Sequence, residues 1–330
     1  MHKVRLGQAG PEVSRIGLGC MAMSGAYGPA DRGEALATIH AALDAGVTLL
    51  DTGDFYGMGH NEMLIAEALK GVPRDSYQLS VKFGALRDPG GGWLGNDARP
   101  QAVKTFLAYT LQRLGVDYID IYRPARLDPR VPIEDTVGAI AECIAAGWVR
   151  HLGLSEVGPD TLRRAGAIHP VCDLQIEYAL TTRNIEKAVL PACRELGIGL
   201  TVYGVFSRGL LTGGWQPGEA APGDFRHHAP RFQGDAGAQN LDLAAELARM
   251  ARQFGMTAGQ LALAWVLAQG EDIVPLVGAR RPDRLAEAVE ALGTALTIEQ
   301  LADLAAAIPA DAMAGERYAP AQMAMLDSER

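Results

Sequence analysis

The sequence predicts an α/β fold: a (β/α)8 barrel of the TIM type with an N-terminal β-hairpin cap. Three observations carry the prediction. A unit of short apolar strand, loop and amphipathic helix recurs along the 330 residues, and such alternation demands parallel pairing through right-handed crossovers. The chain is 48% hydrophobic, enough for one large core at a length where α/β barrels form single domains. Polar and charged residues stand just past the carboxyl ends of the strands, where a barrel gathers its chemistry.

The elements follow in order. Residues 3–15 read as two short strands about a turn at Gln8-Ala9-Gly10-Pro11, a hairpin placed to close the bottom of the barrel. Barrel strands are expected at 16–19, 47–51, 77–82, 118–122, 150–154, 171–176, 198–203 and 273–277, as short apolar runs bounded by turn residues. Helices are expected between them at 31–45, 61–70, 99–114, 134–146, 158–168, 185–196, 239–254, 257–269 and 282–291. Residues 307–330 form an Ala/Met/Pro-rich tail, and residues 1–330 read as one domain. A doubly wound sheet fits less well. Its first strand should lead into GxGxxG, and Gly17-Leu18-Gly19-Cys20-Met21-Ala22 lacks the third glycine.

Two loops are long. Residues 84–98 are glycine-rich, and residues 207–238 carry Gly213-Gly214-Trp215, His227-His228 and Phe232. Each follows a barrel strand, so both are expected on the catalytic face. The His227-His228 pair reads as surface, and no metal site is expected. A net charge of −9 argues against a nucleic-acid partner, which needs a basic face. Cys20, Cys143, Cys172 and Cys193 are scattered without CxxC spacing, so a reducing cytoplasm is the expected location. The first residues, Met1 to Leu6, have no apolar signal core, and no stretch reaches the roughly 18 apolar residues of a membrane span. Oligomeric state is open.

The chemistry centres on Leu49-Leu50-Asp51-Thr52-Gly53-Asp54-Phe55-Tyr56-Gly57. An apolar strand ends there in a loop carrying two acids and a tyrosine. The third strand ends in Lys82, the fifth in Ser155 and Glu156, the sixth in Gln175 and Glu177, and the seventh in Tyr203. Lys82 and Asp51 can pair across the barrel mouth. A buried ion pair is weak evidence of stability, so a functional reason is sought. An ammonium near Tyr56 would favour tyrosinate and lower the phenol from its ordinary value of about 10. The three together would make a tuned acid able to give a proton to a carbonyl oxygen.

At this point the chain resembles the aldo/keto reductase family, over nearly its whole length. The stretches that carry the likeness are Gly17-Leu18-Gly19-Cys20-Met21, Leu49 to Gly57, Leu79-Ser80-Val81-Lys82, Asp128-Pro129 with Val131-Pro132-Ile133-Glu134, Gly153-Leu154-Ser155-Glu156, Leu174-Gln175-Ile176-Glu177-Tyr178, Ser207-Arg208-Gly209 and Val277 to Pro282. The resemblance implies a barrel that binds NADPH (NADP+) without a Rossmann domain and reduces an aldehyde or ketone to an alcohol. It implies that Tyr56 is the proton donor and that Asp51 and Lys82 set its pKa. It places cofactor contacts on Cys20 and Met21. Ser155 and Gln175, with Glu156 where many members have Asn, fall where the family holds the nicotinamide carboxamide. Tyr203 falls where an aromatic ring stacks on the nicotinamide. Gly204, Phe206, Ser207, Arg208, Gly209 and Leu211 fall in the loop that meets the pyrophosphate. Gly278, Arg280, Arg284 and Glu287 fall in the segment for the adenosine 2′-phosphate. Arg280 and Arg284 are expected one helical turn apart at a helix N-terminus, where an anion is favoured. Ala288 stands where many members carry Asn.

One departure matters. The family's fourth catalytic residue is a histidine after the fourth strand. Aligned on Asp128-Pro129, that position is Ala125. Three readings stay open. Tyr56 works with a water in the gap, or Arg123 or Arg126 swings in, or turnover is weak and the protein is an NADPH-binding sensor. The lost imidazole also leaves room for a bulkier carbonyl substrate. A Schiff-base lyase using Lys82 is a further class, disfavoured because pairing with Asp51 keeps the amine protonated.

Overall fold

Among the described residues, eight strands close a barrel in which every neighbouring pair is parallel. They are Gly17–Gly19, Leu49–Gly53, Gln78–Phe83, Ile119–Pro124, Val149–Ser155, Val171–Glu177, Gly199–Tyr203 and Ile273–Gly278. This computed structural model describes residues 1–216 and 223–330. Residues 217–222, part of the loop expected at 207–238, lie outside the described residues.

Register decides which side chains meet. Gly19 lies opposite Asp51, Asp51 opposite Ser80, and Lys82 opposite Arg123. Ser155 lies opposite Gln175, and Gln175 opposite Thr201. Side chains alternate faces along a strand, so these residues form one inward-facing polar belt at the carboxyl end. Gly153 leaves room for it: a Cβ there would sit 2.6 Å from Asp173 Oδ1 and 2.9 Å from Arg123 Nε.

The other end of the barrel is apolar. The antiparallel hairpin of Lys3–Arg5 and Glu12–Ser14 buries Val4, Leu6 and Val13 against Leu49, Ile121, Cys172, Val274 and Leu276. Ile39, Val103, Ile140, Leu162 and Leu263 of the surrounding helices share the main core with Leu18, Leu50, Leu79, Leu152 and Leu174 of the strands. Each such side chain contributes about 1.5–3 kcal/mol on leaving water.

Three segments differ from the sequence expectation. The helix expected over 185–196 is broken into a short turn, Asn184–Lys187, and a helix, Val189–Leu196. Pro191 explains the break: it has no N–H, and its ring clashes with the carbonyl of Lys187. The loop expected at 84–98 holds a small antiparallel hairpin, Ala85–Arg87 with Trp93–Asn96. Asp88 closes its turn by accepting from the Gly92 N–H at 2.8 Å. The helix expected to begin at 239 begins earlier, as Gly234–Gln253.

The tail packs back over the carboxyl end of the barrel. Asn240 holds its start, donating to the Ala314 carbonyl at 2.9 Å and accepting from the Ala314 N–H at 2.8 Å. Near its end, Asp327 Oδ2 accepts from the Gly158 N–H at 2.8 Å and from the Thr161 hydroxyl at 2.7 Å. That places a carboxylate at the N-terminus of the helix Pro159–Ile168, where the helix dipole favours it.

Candidate active site

Asp51 lies inside its strand, 4% exposed, and every contact fixes its carboxylate. Oδ2 accepts from Ser80 Oγ at 2.7 Å and from Gln175 Nε2 at 2.7 Å. Oδ1 takes the Lys82 ammonium. Lys82 Nζ also donates to Gln175 Oε1 at 2.8 Å. The three residues therefore form a closed clamp. Burial pulls the Lys82 ammonium below its ordinary value, while the Asp51 charge opposes that pull.

Tyr56 is set above the clamp by a tight turn. Gly57, Met58 and Gly59 all take left-handed backbone angles. At Met58 this costs about 1–2 kcal/mol, a local strain held in place by its surroundings. Asn61 pins the turn: it accepts from the Thr52 hydroxyl at 2.6 Å and donates to the Cys20 carbonyl at 2.9 Å. Lys82 Nζ lies 5.2 Å from the centre of the Tyr56 ring. The expected lowering of the Tyr56 phenol is corrected. Burial first, and then the Asp51 carboxylate, hold it well above 10, with Arg126 the largest opposing charge. A half-buried phenol loses more on ionising than nearby cations restore, so Tyr56 keeps its proton.

Arg123 does not swing toward this site. It is fully buried, donating to Asp173 Oδ1, Ser80 Oγ and Thr201 Oγ1, each at 3.0 Å. It braces the clamp from inside the barrel. Arg126, half-buried, stands at the mouth with Ala125. Those two line a cleft of about 80 Å³ with Phe55, Trp93, Tyr318, Gln322, Met325 and Leu326. A larger groove of about 500 Å³ lies at the hairpin end, between Lys3, Gln8, Arg194 and Asp272. It is remote from the clamp, so the smaller cleft is the one that bears on chemistry.

The residues assigned to the cofactor fall in two groups. Ser155 is 1% exposed, and its hydroxyl has no partner among the described residues. A buried polar atom left open has a free bond to make, and the carboxamide of a nicotinamide would fit it. Gln175, by contrast, is spent on the clamp. Glu156 accepts from Arg317 Nη1 at 3.1 Å and Nη2 at 2.9 Å, from Ser328 at 2.8 Å and from the Tyr203 hydroxyl at 2.6 Å. Burial opposes its charge, yet Arg317 and Arg126 bring it down to about 2. Cys20 is buried beside the clamp, its N–H on the Asp51 carbonyl at 2.9 Å, and Met21 opens the short turn Met21–Ser24.

The loop after Tyr203 winds into a tight turn. The N–H groups of Ser207, Gly209 and Leu211 are used within it, on Gly204 and Phe206 carbonyls at 2.7, 3.0 and 3.3 Å. The Arg208 side chain reaches the Arg317 carbonyl at 2.8 Å and Glu177 at 3.2 Å. Farther round the barrel, Arg280 is not helical. It precedes the helix Pro282–Glu290 and donates to the Tyr27 and Pro29 carbonyls at 3.2 and 3.1 Å. The cause is Pro282, which turns the preceding residue to extended backbone. Arg284 lies in the first turn and reaches Glu287 at 3.1 Å. Gly278 is exposed at the end of its strand, two residues before Arg280.

Sequence reasoning missed Arg317 and Tyr318. Arg317 is 2% exposed, and the Tyr318 hydroxyl meets that of Tyr203 at 3.0 Å. The only sequence signal is the charged Glu316-Arg317 pair within an Ala/Met/Pro-rich tail.

Comparison with known proteins agrees with the barrel fold. The model of the aldo/keto reductase family matches residues 15–309. A probable aldo-keto reductase 1 of Glycine max is 41% identical over 320 residues, covering 96% of this chain and 92% of its own. The structure of a glycerol dehydrogenase from Gluconobacter oxydans superposes with a TM-score of 0.82 at 29% identity, covering 93% of this chain and 96% of its own. A thermostable aldo-keto reductase solved with the inhibitor epalrestat gives 0.74 at 26% identity, with 93% and 100% covered. The chain belongs to the aldo/keto reductase family. It is an NAD(P)H-dependent oxidoreductase of the kind that acts on small carbonyl compounds. No helix among the described residues is long and apolar enough to cross a membrane.

Proposed function

We propose that the protein reduces an aldehyde or ketone to an alcohol, with Tyr56 as proton donor and with NADPH as its preferred cofactor. The observation that carries this reading is the Asp51–Lys82–Gln175 clamp beneath a protonated Tyr56. When bound, the cofactor supplies the hydride. Ser155 offers its open hydroxyl to the carboxamide, and Tyr203 offers a ring at the strand end. As negative charge grows on the carbonyl oxygen, Tyr56 gives its proton. Lys82, fixed by Asp51, stabilises the phenolate left behind. Positioned acids of this kind contribute about 10²–10⁴ in rate.

Arg284 supports the preference for NADPH, since a 2′-phosphate suits an exposed guanidinium in the first turn of a helix, and Arg280, partly buried, lies just before that helix. An Arg284→Ala variant should raise the KM for NADPH about tenfold and leave that for NADH nearly unchanged; equal effects on both would remove this part of the reading. Substrate bulk is limited by the tail, because the cleft beside Ala125 measures about 80 Å³ under Tyr318 and Met325. A bulky ketone needs that segment to move. The four buried free thiols suit a cytoplasmic location.

A second reading, an NADPH-binding sensor with weak turnover, draws on Ala125, which brings no donor to the substrate oxygen. NADPH oxidation across a panel of aldehydes and ketones separates the two. Turnover of any member supports the reductase; saturable NADPH binding with no turnover supports the sensor.

A further inference from the structure

The cleft beside Ala125 has mostly apolar and aromatic walls, among them Phe55, Trp93 and Met325. Among the described residues, Arg126 is its one charged side chain. The other arginines around the mouth are each held by acids. Arg317 pairs with Glu156, Glu177 and Glu329, and Arg208 and Arg231 pair with Glu177. Among the described residues, Arg126 has no ion-pair partner. Its Nη1 donates to the carbonyl of its neighbour Ala125 at 2.6 Å, and its guanidinium carbon lies 6.0 Å from the centre of the Tyr318 ring. A guanidinium has five N–H donors in a rigid fork, so most of its capacity faces the cleft unspent.

The acid that acts on Arg126, Glu156, is already engaged by Arg317, Ser328 and Tyr203, so the unspent N–H donors of this half-buried cation are costly unless an anion in the cleft completes them. We propose that Arg126 is a specificity-determining residue that binds a carboxylate on the substrate, so that the enzyme acts on aldehydes or ketones carrying an acid group a short apolar spacer away from the carbonyl. The proposal rests on the carbonyl-reductase reading of the same site. A carboxylate matches the fork in shape, bidentate and planar. It also matches it in charge, where a dianionic phosphate would leave one charge over. Phe55 and Trp93 supply flat apolar walls for the spacer. Ala125 places no second polar group beside the fork. Arg126 is also the largest cationic influence on the Tyr56 hydroxyl, which ties the anion site to the proton donor.

The test uses the full chain with NADPH and the matched pair 4-carboxybenzaldehyde and its methyl ester. Wild type should favour the acid in kcat/KM by about 10- to 100-fold, the worth of one charge-assisted pair. Arg126→Ala should erase the preference, lowering kcat/KM for the acid about 10- to 100-fold more than for the ester. Arg126→Lys should recover part of it, and keeps the charge should the alanine variant fold poorly. A wild type indifferent to the acid overturns the proposal. So does a preference that survives Arg126→Ala, or an equal loss for acid and ester, which would place Arg126 on the carbonyl oxygen. Calorimetric titration of benzoate against benzamide, with NADP+ present, needs no turnover. Benzoate binding that is lost in Arg126→Ala supports the site even if no carbonyl is reduced, in which case only the reductase reading fails. Equal binding of both probes by wild type overturns the site.

Discussion

Asp54 stands three residues past Asp51, yet it is held very differently. It is 7% exposed, one carboxyl oxygen has no partner among the described residues, and the other meets the Gly84 N–H only at 3.4 Å. Burial, and then the Glu62 charge, push it from 3.8 up to about 7. The folded value lies above the unfolded one, so the fold favours the neutral acid. Its contribution is full below 3.8 and is lost as pH rises through about 7. Asp54→Asn should therefore raise the melting temperature at about pH 8, by the equivalent of a few kcal/mol, and leave it nearly unchanged at about pH 4. Thermal melts at the two pH values check this. At this scale Asp51, Lys82 and Tyr56 could be singled out as candidates that meet in space, because charges at the ends of apolar strands stand out in a sequence. The direction of the Tyr56 shift was not. It depends on how deeply the ring is buried, and burial is a property of the closed barrel.

The tail is the element that most alters the site. Arg317 enters the mouth as a fully buried side chain and joins Glu156, Glu177 and Glu329. Glu156 is brought from 4.5 to about 2, against its own burial, chiefly by Arg317. Its folded value lies below the unfolded one, so its stabilisation is present above 4.5 and is lost as pH falls toward about 2. The window is worth on the order of 3 kcal/mol. Arg317→Ala leaves Glu156 buried and short of its main partner, and should cost about 3–5 kcal/mol at neutral pH. Acid titration of the variant should show less loss of stability between about pH 5 and 2 than wild type. Equal melting of variant and wild type would contradict this role for the tail. Periodicity could not announce this segment: its longest helix is the four-residue Pro320–Met323, and its role comes from one arginine and one aspartate. The break at Pro191 was readable in principle, since proline three residues into a helix breaks the turn before it. The Ala85–Arg87 hairpin was hidden by five residues, Asp88 to Gly92, that look like an open loop.

Across the whole molecule, the repeating strand–helix unit, the hairpin at the base and the polar belt at the carboxyl end follow from simple alternation. Eight short apolar runs separated by helices have few ways to close, which is why the strand positions were readable to within one or two residues. Register did the rest, bringing Asp51, Lys82 and Gln175 from three strands into one clamp. What alternation could not reveal was the interior polar brace. Arg123 and Asp173 sit inside apolar strands, and only the closed barrel makes them partners at 3.0 Å.

In the proposed mechanism this clamp serves a phenolic proton donor although Ala125 stands in the histidine's place. Single-turnover reduction of a carbonyl substrate by NADPH-loaded protein, wild type beside Tyr56→Phe, tests it most directly. The rate should be about 10²–10⁴ lower in the variant, with NADPH binding unchanged. An undiminished rate in Tyr56→Phe would contradict it and move the proton donor elsewhere in the mouth.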